Sequence, residues 1–62
     1  MLTNPRLNQK AMVWYRKSNR HMPYHGAVGT IIISGHGKPR NHLIEINGNR
    51  VVIPCGNLKR FV

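Results

Sequence analysis

Apolar positions along this chain fall into short blocks divided by glycine, proline and asparagine. Residues 12–17 (MVWYRK), 27–34 (AVGTIIIS), 42–46 (HLIEI) and 50–53 (RVVI) are each rich in branched or aromatic side chains. Blocks of that length bounded by turn formers read as strands rather than helices. Asn47-Gly48, between the last two blocks, is the sharpest local signal, because a type I′ hairpin turn needs positive φ at both central residues. With that pair as the turn, Ile46 falls opposite Asn49, Glu45 opposite Arg50, Ile44 opposite Val51, Leu43 opposite Val52 and His42 opposite Ile53. Side chains alternate between faces, so Ile44, Ile46, Val51 and Ile53 gather as core. The chain's single acid then faces an arginine, which makes Glu45 a cross-strand partner of Arg50 rather than a catalytic base.

Residues 18–26 (SNRHMPYHG) read as a loop, since Pro23 has no N–H to give to a ladder. Pro54 to Asn57 predicts a tight turn, in the form of a single 3₁₀ turn, leading into a short strand over residues 58–62. In the first block Trp14 and Tyr15 must face opposite ways, and size favours Trp14 inside and Tyr15 outside. Residues 1–11 lack a strand pattern. Asn4 before Pro5, with Leu7, Ala11 and Trp14 at helical spacing, fits either a short helix or a loose arm. The expectation is an all-β protein: an arm or short helix over residues 1–11, then a small five-stranded SH3-like barrel over residues 12–62. Closure into a barrel removes strand edges, which suits a chain of 62 residues with a thin core.

Charge changes the picture more than any motif. Ten Lys and Arg stand against one acid, for a formal net charge of +9. Ordinary surfaces intersperse both signs; this one repels itself, and a polyanion relieves that repulsion while its counterions are released. Nucleic acid or a strongly acidic protein surface is therefore the expected partner. No apolar stretch is long enough for a membrane span and no leader pattern opens the chain, so the expected setting is cytoplasmic with no membrane partner. One cysteine, Cys55, cannot make an internal disulfide.

The order of signals resembles a known family. Gly26 to Ile33 (GAVGTIII), the Gly-rich basic loop from Gly35 to Arg40, residues 41–54 (NHLIEINGNRVVIP) and the closing NLKR from Asn57 to Arg60 are similar to a small SH3-like barrel of the KOW type. Such domains occur in ribosomal proteins and NusG-like elongation factors, where they usually contact RNA, the ribosome or polymerase. The resemblance covers about the last forty residues. It implies RNA contact, and a turn role between the first two strands for Gly29.

The loop GHGKPRNH, residues 35–42, invites more specific readings that its spacing excludes. A Walker loop needs a glycine five residues before Gly37, where Ile32 stands, and Ser or Thr after Lys38, where Pro39 stands. The dinucleotide fingerprint fails because Arg40 occupies the third glycine position. What is left is a turn offering Lys38 and Arg40 to a phosphate backbone. His21, His25, His36, His42 and Cys55 are possible metal ligands, but no C-x-x-C or compact cluster unites them, and the histidines are expected as polar loop residues that add positive charge below neutral pH. A Cys55–His42 dyad is conceivable from the hairpin register. With one carboxylate in the chain, acid–base catalysis on most substrates lacks its second group, so no enzyme activity, cofactor or metal is expected.

The expected function is nucleic-acid binding, RNA more than DNA, by phosphate contacts with little sequence discrimination. The candidate residues are Arg16, Lys17 and Arg20, Lys38 and Arg40, and Lys59 and Arg60. An exposed Tyr15 or Tyr24 would supply a stacking platform beside the first three. Arg50 is set aside as the partner of Glu45. Four to six engaged phosphates give a log–log salt slope of about −3 to −5. The rival expectation is a protein-interaction module, phage-encoded or accessory, that docks on an acidic surface of a polymerase, nuclease or ribosomal factor. A monomer is expected in either case.

Overall fold

Asn47 and Gly48 sit at φ values of 50° and 83°, the positive pair that a type I′ turn requires. In this computed structural model, which describes residues 1–61, they join strand β3 (Asn41–Ile46) to strand β4 (Asn49–Pro54). The pairing is the one the turn dictates, from Ile46 opposite Asn49 through Glu45 opposite Arg50 to His42 opposite Ile53. Ile44, Ile46 and Ile53 are buried on the inner face, and Val51 is half-buried against them.

The other strands are β1 (Lys10–Val13), β2 (Val28–Ile33) and β5 (Leu58–Arg60), with 3₁₀ turns at Lys17–Asn19 and Cys55–Asn57. All five lie in one antiparallel sheet of order β4-β3-β2-β1-β5. The protein is therefore all-β. The order is compatible with an SH3-like barrel, but β4 and β5 remain unpaired sheet edges, so the expected barrel is not closed. The core is small and aliphatic: Ala11, Val13, Ile31, Ile44, Ile46, Ile53 and Leu58. None of the helices is long and apolar enough to cross a membrane, among the described residues.

Strand β1 begins two residues earlier than its sequence suggests and stops at Val13. Ala11 and Val13 are fully buried, so alternation turns Met12 and Trp14 outward and Tyr15 inward. The expectation for the two aromatic rings is thus reversed: Trp14 is 38% exposed, and Tyr15 packs against the core. Strand parity, set by two small residues, decides the matter over ring size.

Gly29 is also relocated. It lies inside β2 opposite Ala11, not in a turn. A Cβ there would stand 2.5 Å from the carbonyl oxygen of Glu45 and 2.7 and 2.8 Å from Cγ1 of Ile46 and Ile44. The glycine lets β3 fold closely onto β2. Two residues later the register shifts between Ile31 and Ile33, a bulge that leaves Ile33 58% exposed.

Residues 1–9 contain no helix; they form an arm fastened to the sheet. Leu2 N–H donates to the Cys55 carbonyl at 3.1 Å, and Pro5 is buried. Asn8 N–H donates to Ile31 O at 2.8 Å, and Ile31 N–H donates to Gln9 O at 2.9 Å, so the arm prolongs the β1–β2 ladder. Asn8 at φ 69° breaks any helical run before β1.

Candidate nucleic-acid interface

The outward turn of Trp14 places its indole at the end of β1, beside the neighbouring edge strand. Met12 pairs with Lys59 of β5, and Trp14 N–H donates to the Asn57 carbonyl at 2.9 Å, fixing the ring next to the lysine. Lys59 Nζ lies 3.9 Å from the indole centroid. From the other direction the loop after β1 folds back in successive turns, Asn19 N–H to Arg16 O at 2.8 Å and Met22 N–H to Asn19 O at 3.0 Å. This brings the Arg20 guanidinium carbon to 5.0 Å from the same centroid. Cations over an exposed indole face gain about 0.5–1 kcal/mol each, enough to bias their positions without neutralising them.

Two more contacts hold the loop. Tyr15 N–H donates to Nδ1 of His25 at 3.1 Å, and the imidazole leans on Trp14 with centroids 4.6 Å apart. Gly26 N–H closes onto Val13 O at 2.7 Å. The result is an open concavity of about 730 Å³ lined by Trp14, Tyr15, Arg16, Asn19, Arg20, Met22, Gly56 and Asn57. Glu45, the chain's only acid, lies on β3, with β2 and β1 between it and β5. It stands opposite Arg50 in register, yet the two form no ion pair among the described residues.

The residues singled out from sequence do not all converge. Arg16, Arg20 and Lys59 meet around Trp14, and exposed Lys17 begins the adjacent 3₁₀ turn. Tyr15 lines the concavity and is partly buried against the core, as is Tyr24, whereas Trp14 is the exposed ring beside these cations. Lys38 is exposed in the Gly-rich loop, well separated in the chain from this cluster. Arg40 is committed elsewhere: Nη1 donates to Thr3 O at 3.1 Å and Asn4 Oδ1 at 2.9 Å, tying the arm down. Arg60 lines a separate groove with Leu2, Asn4, Arg6 and Gln9.

His42 is a buried strand residue rather than a polar loop residue. Its Nδ1 accepts Gly35 N–H at 2.9 Å, which leaves Nε2 to carry the proton it shares with Leu2 O, also at 2.9 Å. With both ring nitrogens engaged, the imaginable dyad with Cys55 is not formed. Among the described residues no three His, Cys, Asp or Glu side chains are grouped to hold a metal ion. Comparison with protein-family models, curated proteins and solved structures finds no match.

Proposed function

We propose that this chain is a small nucleic-acid-binding protein of the cytoplasm that works by binding rather than catalysis, and that its contact surface is centred on Trp14. One observation carries the reading: Arg20 and Lys59 lie over an outward indole and Arg16 lines the concavity beside it, with no acidic side chain near them among the described residues. Cations balanced by an aromatic ring instead of a carboxylate keep their charge for phosphate oxygens. The resemblance to KOW-type domains favours RNA over DNA. The test is fluorescence anisotropy with labelled RNA and DNA of one sequence across a salt series. Arg16, Lys17, Arg20 and Lys59 engaging four phosphates give a log–log slope of about −3 to −4; a flat salt dependence contradicts the proposal.

A second reading, a module docking on a protein, is favoured by a different surface. Register aligns Ile33, Leu43 and Val52 across β2, β3 and β4, and Val52 is 62% exposed on the open edge strand. An apolar row beside an unpaired edge is how strand addition begins. Val52→Gln, which removes apolar surface without changing charge, separates the two readings: it leaves RNA affinity unchanged under the first and weakens association with an acidic polymerase or ribosomal factor under the second.

A further inference from the structure

We infer that the concavity beside Trp14 takes an unpaired base of a single-stranded nucleic acid, stacked on the indole while Lys59, Arg20 and Arg16 hold the flanking phosphates. The inference rests on the nucleic-acid reading above and narrows its ligand to strands with free base faces.

The walls of the site are the first reason. Trp14 and Met22 are 38% and 41% exposed and line the same concavity as Arg16 and Arg20. A site that only gripped phosphates has no use for apolar surface there. Asn19 and Asn57, which share the lining, carry amides able to donate to and accept from a base edge. Apolar flats, amides and cations in one hollow of about 730 Å³ match the parts of a nucleotide, and the volume falls within the range of small-ligand clefts.

The state of the indole is the second. Lys59 and Arg20 lie over it, so its face is reached from the surface and is covered by the ends of long cationic side chains rather than by core residues. The two cations are on flexible stems, and in exchanging the ring for phosphates they clear it for a base. Arg20, at 5.0 Å, is the looser of the two and the one expected to move.

The third reason concerns duplexes. Their bases are stacked on one another and paired, so a duplex offers this surface only phosphates. Electrostatics alone ranks duplex above single strand, because the duplex carries about one charge per 1.7 Å of axis. Base stacking ranks them the other way, at about five- to 150-fold in affinity per base. The order of the two ligands therefore reports which contribution operates.

The full chain is titrated with three labelled probes of about twelve nucleotides: a single-stranded RNA, its duplex, and an abasic strand of equal charge. The readouts are anisotropy and intrinsic fluorescence, the latter arising from Trp14 as the one tryptophan in the chain. Expected are an affinity for the intact strand at least about fivefold above the abasic strand, tighter binding of the strand than of the duplex, and indole quenching by the intact strand alone. Trp14→Phe keeps part of the preference, and Trp14→Leu removes it while abasic binding persists. A duplex bound as tightly as the single strand, or an abasic strand that binds equally, overturns the inference and leaves the nucleic-acid reading standing. If none of the three probes binds, both fall. Quenching is read on the unmodified protein, so a variant that fails to fold leaves the test intact.

Discussion

His42 donates its Nε2–H to the carbonyl of Leu2 across 2.9 Å, joining strand β3 to the second residue of the chain. The same ring accepts Gly35 N–H, so one fully buried side chain satisfies backbone groups from the arm and from the Gly-rich loop. His42→Leu fills the volume but leaves both groups without partners. Unsatisfied buried groups cost about 1–3 kcal/mol each, and the expected loss, about 2–4 kcal/mol, is measured by urea denaturation. His42→Gln, which can donate and accept, loses less. Equal stability of the leucine variant and the parent contradicts the assignment.

Arg40 is predicted to act on stability and Lys38 to do neither. Arg40→Ala removes the two hydrogen bonds that pin Thr3 and Asn4, and a loss of about 1–2 kcal/mol is expected. Lys38→Ala, at an exposed loop position, stays within about 0.5 kcal/mol. Proton–deuterium exchange separates the cases: Leu2 N–H, bonded to Cys55 O, exchanges faster in Arg40→Ala and at the parent rate in Lys38→Ala. A loop built to bind phosphate shows the opposite, two stable variants that both lose RNA affinity.

Gly29→Ala tests the close approach of β2 and β3. The nearest atom to the added methyl is the Glu45 carbonyl oxygen, part of a ladder that cannot shift without breaking pairs on both sides. A loss of about 3 kcal/mol is expected, at the upper end for overpacking. In a chain this small that is a large share of total stability. Thermal unfolding followed by far-ultraviolet circular dichroism checks it, and a melting temperature unchanged from the parent removes the argument.

What could be read from the sequence followed the range of the interactions involved. The β3–β4 hairpin was legible to the residue because Asn47-Gly48 and a period of two are local signals, and the 3₁₀ turn at Cys55–Asn57 was legible for the same reason. The parity of β1 was not, although Lys10, Met12 and Trp14 against Ala11, Val13 and Tyr15 is a consistent alternation. Ring size outweighs it, and the expectation therefore places the exposed ring at Tyr15 and the inward one at Trp14, the reverse of their positions. Three consecutive isoleucines hid the bulge between Ile31 and Ile33, since any of them could face inward. Arg40 and His42 meet the arm across 36 and 40 residues of sequence, contacts that no local pattern announces. The choice between helix and arm over residues 1–11 is of the same kind: the Asn4-Pro5 signal fits either, and the ladder bonds that Asn8 and Gln9 make with Ile31 decide for the arm.

The strongest prediction about function concerns which cations act together. Arg16, Arg20 and Lys59 share one surface with Trp14, whereas Arg60 lines another groove and Arg50 lies on the far edge strand β4. Each phosphate contact removed lowers the salt slope by about 0.7 to 0.9. Arg16→Gln/Arg20→Gln/Lys59→Gln is thus expected to reduce its magnitude by about two to three and to abolish most RNA binding. Arg6→Gln/Arg50→Gln/Arg60→Gln, with the same loss of three charges and with Arg6 in the groove that Arg60 lines, is expected to reduce affinity only through the weaker overall field. These exposed substitutions are expected to leave folding within about 0.5 kcal/mol apiece, with Lys59 and Arg20 also giving up their contact with the indole. Equal losses from the two sets mean that net charge acts without a defined surface, and the assignment to Trp14 then fails. A selective loss from the first set places the polyanion on β1, the loop that follows it and β5.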